Sequence, residues 1–589
     1  MLTNHGQSGF GLEFVEGCLT VAAMVIAFAL PQMGNKTFRA IEHFFADIAR
    51  KRHRSVLLVG LSTIVLRVAM LPLLPIPLPF VPDDFSFLLS ADTFLHGRLT
   101  NPTPAMWMHF ETIHVTMQPT YASMYFPAVG LLLAASTAIF GHPWFGVLGV
   151  TALMCAAICW MLQAWAPPSW ALLGGLLATL HLGLFSYWVN TYHSGGSIAG
   201  LGGALILGAL PRILRRVQFR HLLLLAVGVV LVGFTRPYEG TLLCVPVAIR
   251  LGIWLMRGGS RSSWGSLVKL AALPLAFIVG AVGWLGYYDY RNFGSATTLP
   301  YTVDRATYAI APYFIWQKPR PEPHYRLDSI RRFYEQEAVP YVPSRSLERI
   351  LRDRLFTAVA EARFFCGIAF LPLLLAVPWA LSDRRMRFPA VLMSVLALGV
   401  IPEIYLIPHY LAPFTPVFYC LGIQTMRHVR TWTIQRMHVG PAVLRMAVLV
   451  CIVIVMIRPF DQVLGLAVRE RPPSEWNALW YGPDQYGQAR AALEQRLQAL
   501  PGSQIVIVRY ASSHWTLDQW VYNSADIDHS KVIWANDMGA TENQKLLSHY
   551  RDRKVWLVQP DLSPLAFAPY PPRLEDAVIS QATSEFASH

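Results

Sequence analysis

Thirteen apolar runs begin near residues 12, 55, 124, 144, 170, 195, 221, 240, 265, 364, 388, 412 and 441, and they constrain the fold more than any other feature of the chain. A helix needs ~20 mostly apolar residues to cross a ~30 Å hydrocarbon core, and it is a helix because no water is present there to satisfy an open backbone. Only 14% of the 589 residues are charged and 54% are hydrophobic, too little polarity for the surface of a soluble protein of this length. The expectation is a polytopic α-helical membrane protein.

The net charge of +13 would point to nucleic acid in a soluble chain, but here the basic residues fall in clusters between apolar runs. Arg50 to Arg54, Arg212 to Arg220, Arg257 with Arg261, Arg384 to Arg387 and Arg427 to Arg436 are therefore assigned to the cytoplasmic side, and no nucleic-acid partner is expected. The region around Asp83 then faces outward. Four runs lie between it and the Arg212 cluster, whereas opposite sides demand an odd number of crossings. Met124 to Gly141 is short and contains Pro127, so it is read as a re-entrant or interfacial segment. About 12 crossings remain, with both termini outside. The first run follows Glu13 and Glu16 rather than a basic segment, which predicts a retained helix and not a cleaved leader. All seven cysteines lie in apolar stretches, so neither a disulfide framework nor a structural metal is expected. No internal repeat is visible.

These features divide the chain into an N-terminal helix with a basic cytoplasmic segment (1–54), a transmembrane domain (55–458) with outward loops at 80–123 and 287–362, and a polar C-terminal segment (459–589). The last reads as a small α/β soluble domain of three or four strands. Gln504 to Tyr510, Lys531 to Asn536 and Lys554 to Gln559 are short apolar runs suited to buried parallel strands, alternating with helical patterns at about 484–500 and 541–551.

The candidate chemistry starts at Pro82-Asp83-Asp84, a carboxylate pair at the head of a short amphipathic helix just after an apolar run. Acids at a membrane surface are costly, so a pair there points to a general base or a metal ligand. Asp83 is also placed to cap the helix that lays Phe85, Leu88 and Leu89 on the membrane surface and that Gly97 ends. Order and motifs together, namely the acidic pair opening an outward loop, the amphipathic helix and then Tyr121-Ala-Ser-Met-Tyr-Phe-Pro127, resemble the GT-C membrane glycosyltransferases. Protein mannosyltransferases and aminoarabinose transferases are similar in plan over residues 55 to about 460. Gly97-Arg-Leu-Thr-Asn-Pro102, Ser186-Tyr-Trp-Val-Asn190, Thr235-Arg-Pro-Tyr-Glu-Gly240 and Pro408-His-Tyr-Leu-Ala-Pro413 look like a bacterial branch of that superfamily. No arginine directly follows the pair, a departure from the aminoarabinose transferases that leaves the acceptor open.

The resemblance implies an enzyme of the cytoplasmic (inner) membrane that moves a sugar from a polyprenyl-phosphate donor to an extracytoplasmic glycan, lipid or protein acceptor by inverting single displacement. It carries the catalytic aspartate onto Asp83, with Asp84 as its partner; a divalent cation on Asp84 belongs to a metal-using variant, and no cofactor is firmly expected. For the departing phosphate, the outward-facing cations near helix ends are Arg236 first, then His409 beside Tyr410, and His193. The loop from Asp289 to Phe365 carries Arg291, Asp304, Arg305, Trp316, Lys318, Arg320 and His324, a composition suited to sugars and phosphates, with no single residue singled out. Gly200-Leu-Gly202-Gly203 reads as a helix-packing surface, and Asp526-Ile-Asp528 as an outward acidic motif away from any nucleotide. Two rivals stand beside the transferase: a lipid-linked saccharide transporter or flippase, which has no need of the acidic pair, and a non-catalytic scaffold of envelope biogenesis.

Overall fold

All thirteen apolar runs fold as helix. The computed structural model describes residues 11–259, 263–341, 346–461, 463–464, 466 and 487–570; Arg261 of the basic clusters, the start of the pattern at 484–500 and much of 459–589 lie outside the described residues. Six helices are long and apolar enough to cross a bilayer: Leu12–Ala29, Trp144–Leu162, Gly195–Arg215, Pro237–Met256, Trp264–Phe293 and Gly440–Phe460. A further pair, Glu348–Cys366 and Ile368–Ser382, passes only when joined, and it bends by 112° at Gly367. That glycine adopts φ 77° and ψ 158°, a positive-φ extended conformation that a residue without Cβ enters at little cost. Pro127–Phe140, Pro168–Leu184 and Phe219–Gly233 are apolar but shorter. The chain is a multi-pass membrane protein, and exposed Val268, Leu273, Val279 and Val282 on Trp264–Phe293 are an apolar face of the kind lipid covers.

The chain divides into two compact units, Met1–Pro77 with Ile139–Trp284 and Ser344–Asp484, and Leu78–Ala138 with Leu285–Pro343 and Gln485–His589. The first holds the long helices. Close approach in it depends on small residues: a Cβ on Gly203 would sit 2.0 Å from the Pro413 carbonyl oxygen, and one on Gly202 2.9 Å from the Gly228 oxygen. The glycine run is thus a packing surface, as its position in an apolar helix predicted. Arg67 is wholly buried in this unit and is satisfied there, donating to Leu74 O at 2.9 Å and Asn190 Oδ1 at 3.2 Å with Trp144 beneath its guanidinium.

The second unit contains a four-stranded sheet in the order Val532–Asn536, Gln504–Val508, Lys554–Gln559, Ala566–Pro569. The first three strands are parallel and the last is antiparallel. Helices Gln488–Ala499 and Ala540–His549 accompany it, close to the two expected patterns. Every residue of the strands Gln504–Val508 and Val532–Asn536 is buried, as continuous apolar runs in a parallel sheet require. This sheet shares one hydrophobic core with the Pro82–Leu95 helix and the loop after it: Phe85, Leu89, Phe110, Val115 and Tyr121 pack with Ile505, Tyr522, Ile533 and Leu546. Phe85 stacks on Tyr522 at 4.4 Å. The helix is therefore buried in protein, and the expectation that it lies on the membrane surface is corrected.

Candidate active site

Pro82 takes the first helical position of Pro82–Leu95, with Val81 extended before it. Proline suits that place because its fixed φ is already helical and its missing N–H would have had no partner. As a result Asp83 and Asp84 stand inside the first turn, and no side chain caps the helix; the expectation that Asp83 is the cap is corrected. Both carboxylates still meet the positive end of the helix dipole. Asp84 is wholly buried, and the Asp83 side chain is 13% exposed.

Tyr125 donates its hydroxyl proton to Asp83 Oδ1 at 2.5 Å. His114 Nδ1 lies 3.5 Å from Asp83 Oδ2 and 3.0 Å from the Tyr125 oxygen, so the three groups form a closed set. Aromatic faces fix the two rings: Tyr125 stacks on Phe87 at 4.3 Å and meets Tyr301 edge-on, while His114 meets Phe333 edge-on at 5.4 Å. His114 has φ 61°, uncommon for any residue but glycine. Its carbonyl is gripped by the Ser86 hydroxyl at 2.7 Å and the Met124 N–H at 3.2 Å. Farther back, the Asn536 amide donates to the carbonyls of His109 and Glu111, and the Tyr522 hydroxyl to that of Ile113. The sheet thereby braces the loop that delivers His114.

A second carboxylate, Asp304, is fully buried on the Pro300–Tyr308 helix and accepts from the Tyr334 hydroxyl at 3.1 Å. Burial raises its pKa, and His114, Arg305 and Tyr334 only partly oppose that. Glu337 pairs with Arg305 at 2.6 Å, and Arg305 also donates to the Ala311 carbonyl. Burial likewise raises Glu111, which accepts from Tyr308 at 2.8 Å. For His114 burial works to remove the proton, but Asp83, with Asp304 and Glu337, outweighs it and raises the pKa.

The four expected substrate-binding residues gather in the helical unit. His193 and His409 have ring centroids 4.1 Å apart, the Tyr187 hydroxyl lies 2.7 Å from His409 Nδ1, and the Arg236 guanidinium sits 4.2 Å over the Tyr410 ring. Arg236 is also within electrostatic reach of Glu239, Glu403 and His409. Asp83 and Asp84 belong to the other unit. Sequence reasoning missed His114 as a site residue, quoted Tyr125 without a role and named Asp304 only within a group of loop residues; no spacing links the three, because they come from separate loops and helices.

Asp83 and Asp84 are neighbours on a helix, so their side chains diverge, and no group of three or more His, Cys, Asp or Glu among the described residues is disposed around a metal position. Asp526 and Asp528 are engaged locally, with His529 at 2.9 Å and Tyr550 at 2.5 Å.

Compared with known proteins, the chain matches no family model and no curated protein. Among solved structures it is similar to ArnT from Cupriavidus metallidurans bound to undecaprenyl phosphate, with 11% identity over 85% of this chain and 92% of that one at a TM-score of 0.48. It is also similar to the Archaeoglobus fulgidus oligosaccharyltransferase tethered to an acceptor peptide, with 10% identity over 86% of this chain and 68% of that one at 0.45. Both of those proteins are GT-C glycosyltransferases.

Proposed function

We propose that the protein is a membrane glycosyltransferase of the GT-C plan, which moves a sugar from a polyprenyl-phosphate donor to an extracytoplasmic glycan, lipid or protein. The observation that carries this reading is the Asp83 carboxylate, fixed at a helix start by Tyr125 at 2.5 Å and His114 at 3.5 Å in a chain with six described helices long and apolar enough to cross a bilayer. A base must be ionised and held in place, and the helix dipole with two converging polar groups provides both. In the reaction Asp83 takes the acceptor's hydroxyl proton as the acceptor oxygen bonds to the anomeric carbon. The bond from that carbon to the phosphate oxygen breaks, its electron pair leaves with the phosphate, and the configuration inverts. Asp84 orients the acceptor. Arg236, with His409, His193 and Tyr410, is assigned to the phosphate, where a guanidinium offers planar paired donors to its oxygens.

The topology belongs to the same proposal: about twelve crossings of the cytoplasmic membrane, Pro127–Phe140 not crossing, and the polar loops and C-terminal domain outside. At ~1.5 Å per residue the fourteen residues of that helix span about 21 Å, short of the ~30 Å core. The test is transfer of radiolabelled sugar from a panel of polyprenyl-phosphate sugars to membrane extracts, with purified wild type beside Asp83→Asn at matched folding. Transfer by wild type that the variant loses supports both the activity and its base. If neither transfers any sugar while the protein binds or translocates the donor, the flippase or scaffold reading replaces this one.

A further inference from the structure

The two polar groups described at Asp83 also touch one another, Tyr125 lying between the carboxylate and His114. Because the tyrosine gives its proton to Asp83, its oxygen is left to accept, and His114 Nδ1 must carry the proton that it receives. Tyr125 thus links the imidazole to the carboxylate, and the ring itself stands 3.5 Å from Asp83 Oδ2, within ion-pair distance. We infer that His114 is a positioning residue for Asp83: its Nδ1–H, through the Tyr125 hydroxyl, fixes the carboxylate's orientation while the imidazolium charge beside it keeps it ionised until the acceptor arrives. This rests on the reading of Asp83 as the base and deepens it.

The backbone at His114 gives independent support. A non-glycine residue at φ 61° persists only where its surroundings over-determine it, and Ser86, Met124 and the edge-on Phe333 ring do so. Such a residue is held for where its side chain points. The groups facing the ring are Asp83 from the Pro82–Leu95 helix, Tyr125 from the chain before Pro127, Asp304 from Pro300–Tyr308, and Glu337 with Phe333 from Asp328–Ala338. Three carboxylates around one imidazole favour its charged form. The titrating proton is on Nε2, which hydrogen-bonds to no described residue. Its loss removes the charge and leaves the Nδ1–H chain intact. With the pKa raised above its ordinary value, the charge is present below that pKa and is lost as the pH rises through it. Asp83 thus loses its counter-charge on the alkaline side.

The test needs no substrate. Exchange of the imidazole C2 hydrogen for deuterium, followed residue by residue by mass spectrometry across pH, titrates each histidine in the detergent-solubilised full chain. We expect the His114 midpoint to fall by about one unit or more in Asp83→Asn and by less in Tyr125→Phe. Tyr125→Phe stands alone should the Asn variant fail to fold. A His114 midpoint indifferent to both substitutions overturns the inference. Given a transferred sugar, His114→Gln should lose the alkaline limb of the wild-type kcat/KM profile with the donor KM unchanged; an equal fall at every pH marks a merely structural histidine and also overturns it. Coupled titration without transfer of any donor sugar removes the transferase reading and leaves the coupling of His114 to Asp83 demonstrated.

Discussion

At Asp83 the distances decide what each neighbour contributes. A hydrogen bond to a charged acceptor contributes ~1.5–3 kcal/mol, and Tyr125 makes one at 2.5 Å. Tyr125→Phe should therefore lower kcat/KM by roughly 10- to 100-fold while leaving the fold intact, since its ring stays stacked on Phe87. A loss as deep as that of Asp83→Asn would make the hydroxyl a participant in proton transfer and not a brace. Asp304 invites a test of sign. Its pKa is raised by burial, so the stability it contributes is present below the ordinary carboxylate range and is lost as the pH rises through the raised value. Asp304→Asn removes that dependence, and the variant's melting temperature relative to wild type should be higher at pH 8 than at pH 5 by roughly 2 °C or more. A difference that does not change with pH would show that Asp304 is ionised at both pH values in the folded protein, its pKa not raised at all. Asp83 was legible in sequence because a carboxylate pair beside an apolar run is expensive and so informative. His114 and Tyr125 were not, because a histidine or tyrosine in a polar loop carries no such cost, and only the folded loop brings them to the acid.

Elements explain why the sheet and the site share a unit. The three parallel strands were readable from their continuous apolar runs, but their partner was hidden. A continuous apolar run says that both faces of a strand are buried and does not say against what. The partner is the Pro82–Leu95 helix, held by Phe85 stacked on Tyr522 and by the Ala525 N–H donating to Asp92 Oδ2 at 2.7 Å. Asn536, at the end of its strand, is buried and supplies two carbonyls of the loop before His114. Asn536→Ala leaves those carbonyls unpaired, at a cost of ~1–3 kcal/mol each if water does not enter. Limited proteolysis should then cut within residues 107–116 sooner than in wild type, with transfer reduced and the donor's binding unchanged. Protection equal to wild type would place the loop's support elsewhere. In the helical unit the glycine run was legible from its place inside an apolar helix, and Gly203→Val should lower thermal stability by roughly 1–3 kcal/mol or more, since even a first carbon would meet the Pro413 oxygen.

Over the whole molecule, charge and hydropathy answer different questions. Hydropathy placed every apolar helix, because burying ~20 residues in lipid leaves a compositional mark that no local packing can mask. It could not place their partners, and the gathering of His193, Arg236, His409 and Tyr410 from three separate segments became visible only in the folded helical unit. Charge carries the orientation, since basic residues are retained on the cytoplasmic side. If the Arg212 to Arg220 cluster is cytoplasmic, then the long loop around Trp316 and the segment at Ser524 must both face outward for polyprenyl-phosphate sugars to be used there. Arg216, Trp316 and Ser524 are all exposed, so each can report its side without disturbing a core. Of the seven native cysteines Cys18 is exposed and Cys244 and Cys366 are half-buried, so these three are first replaced by serine and labelling of that background is the blank. A membrane-impermeant maleimide added to intact spheroplasts should label Trp316→Cys and Ser524→Cys at once, and Arg216→Cys only after lysis. The reverse pattern would put the Asp83 unit in the cytoplasm, where nucleotide sugars are at hand, and the case for a lipid-carried donor would fall with it.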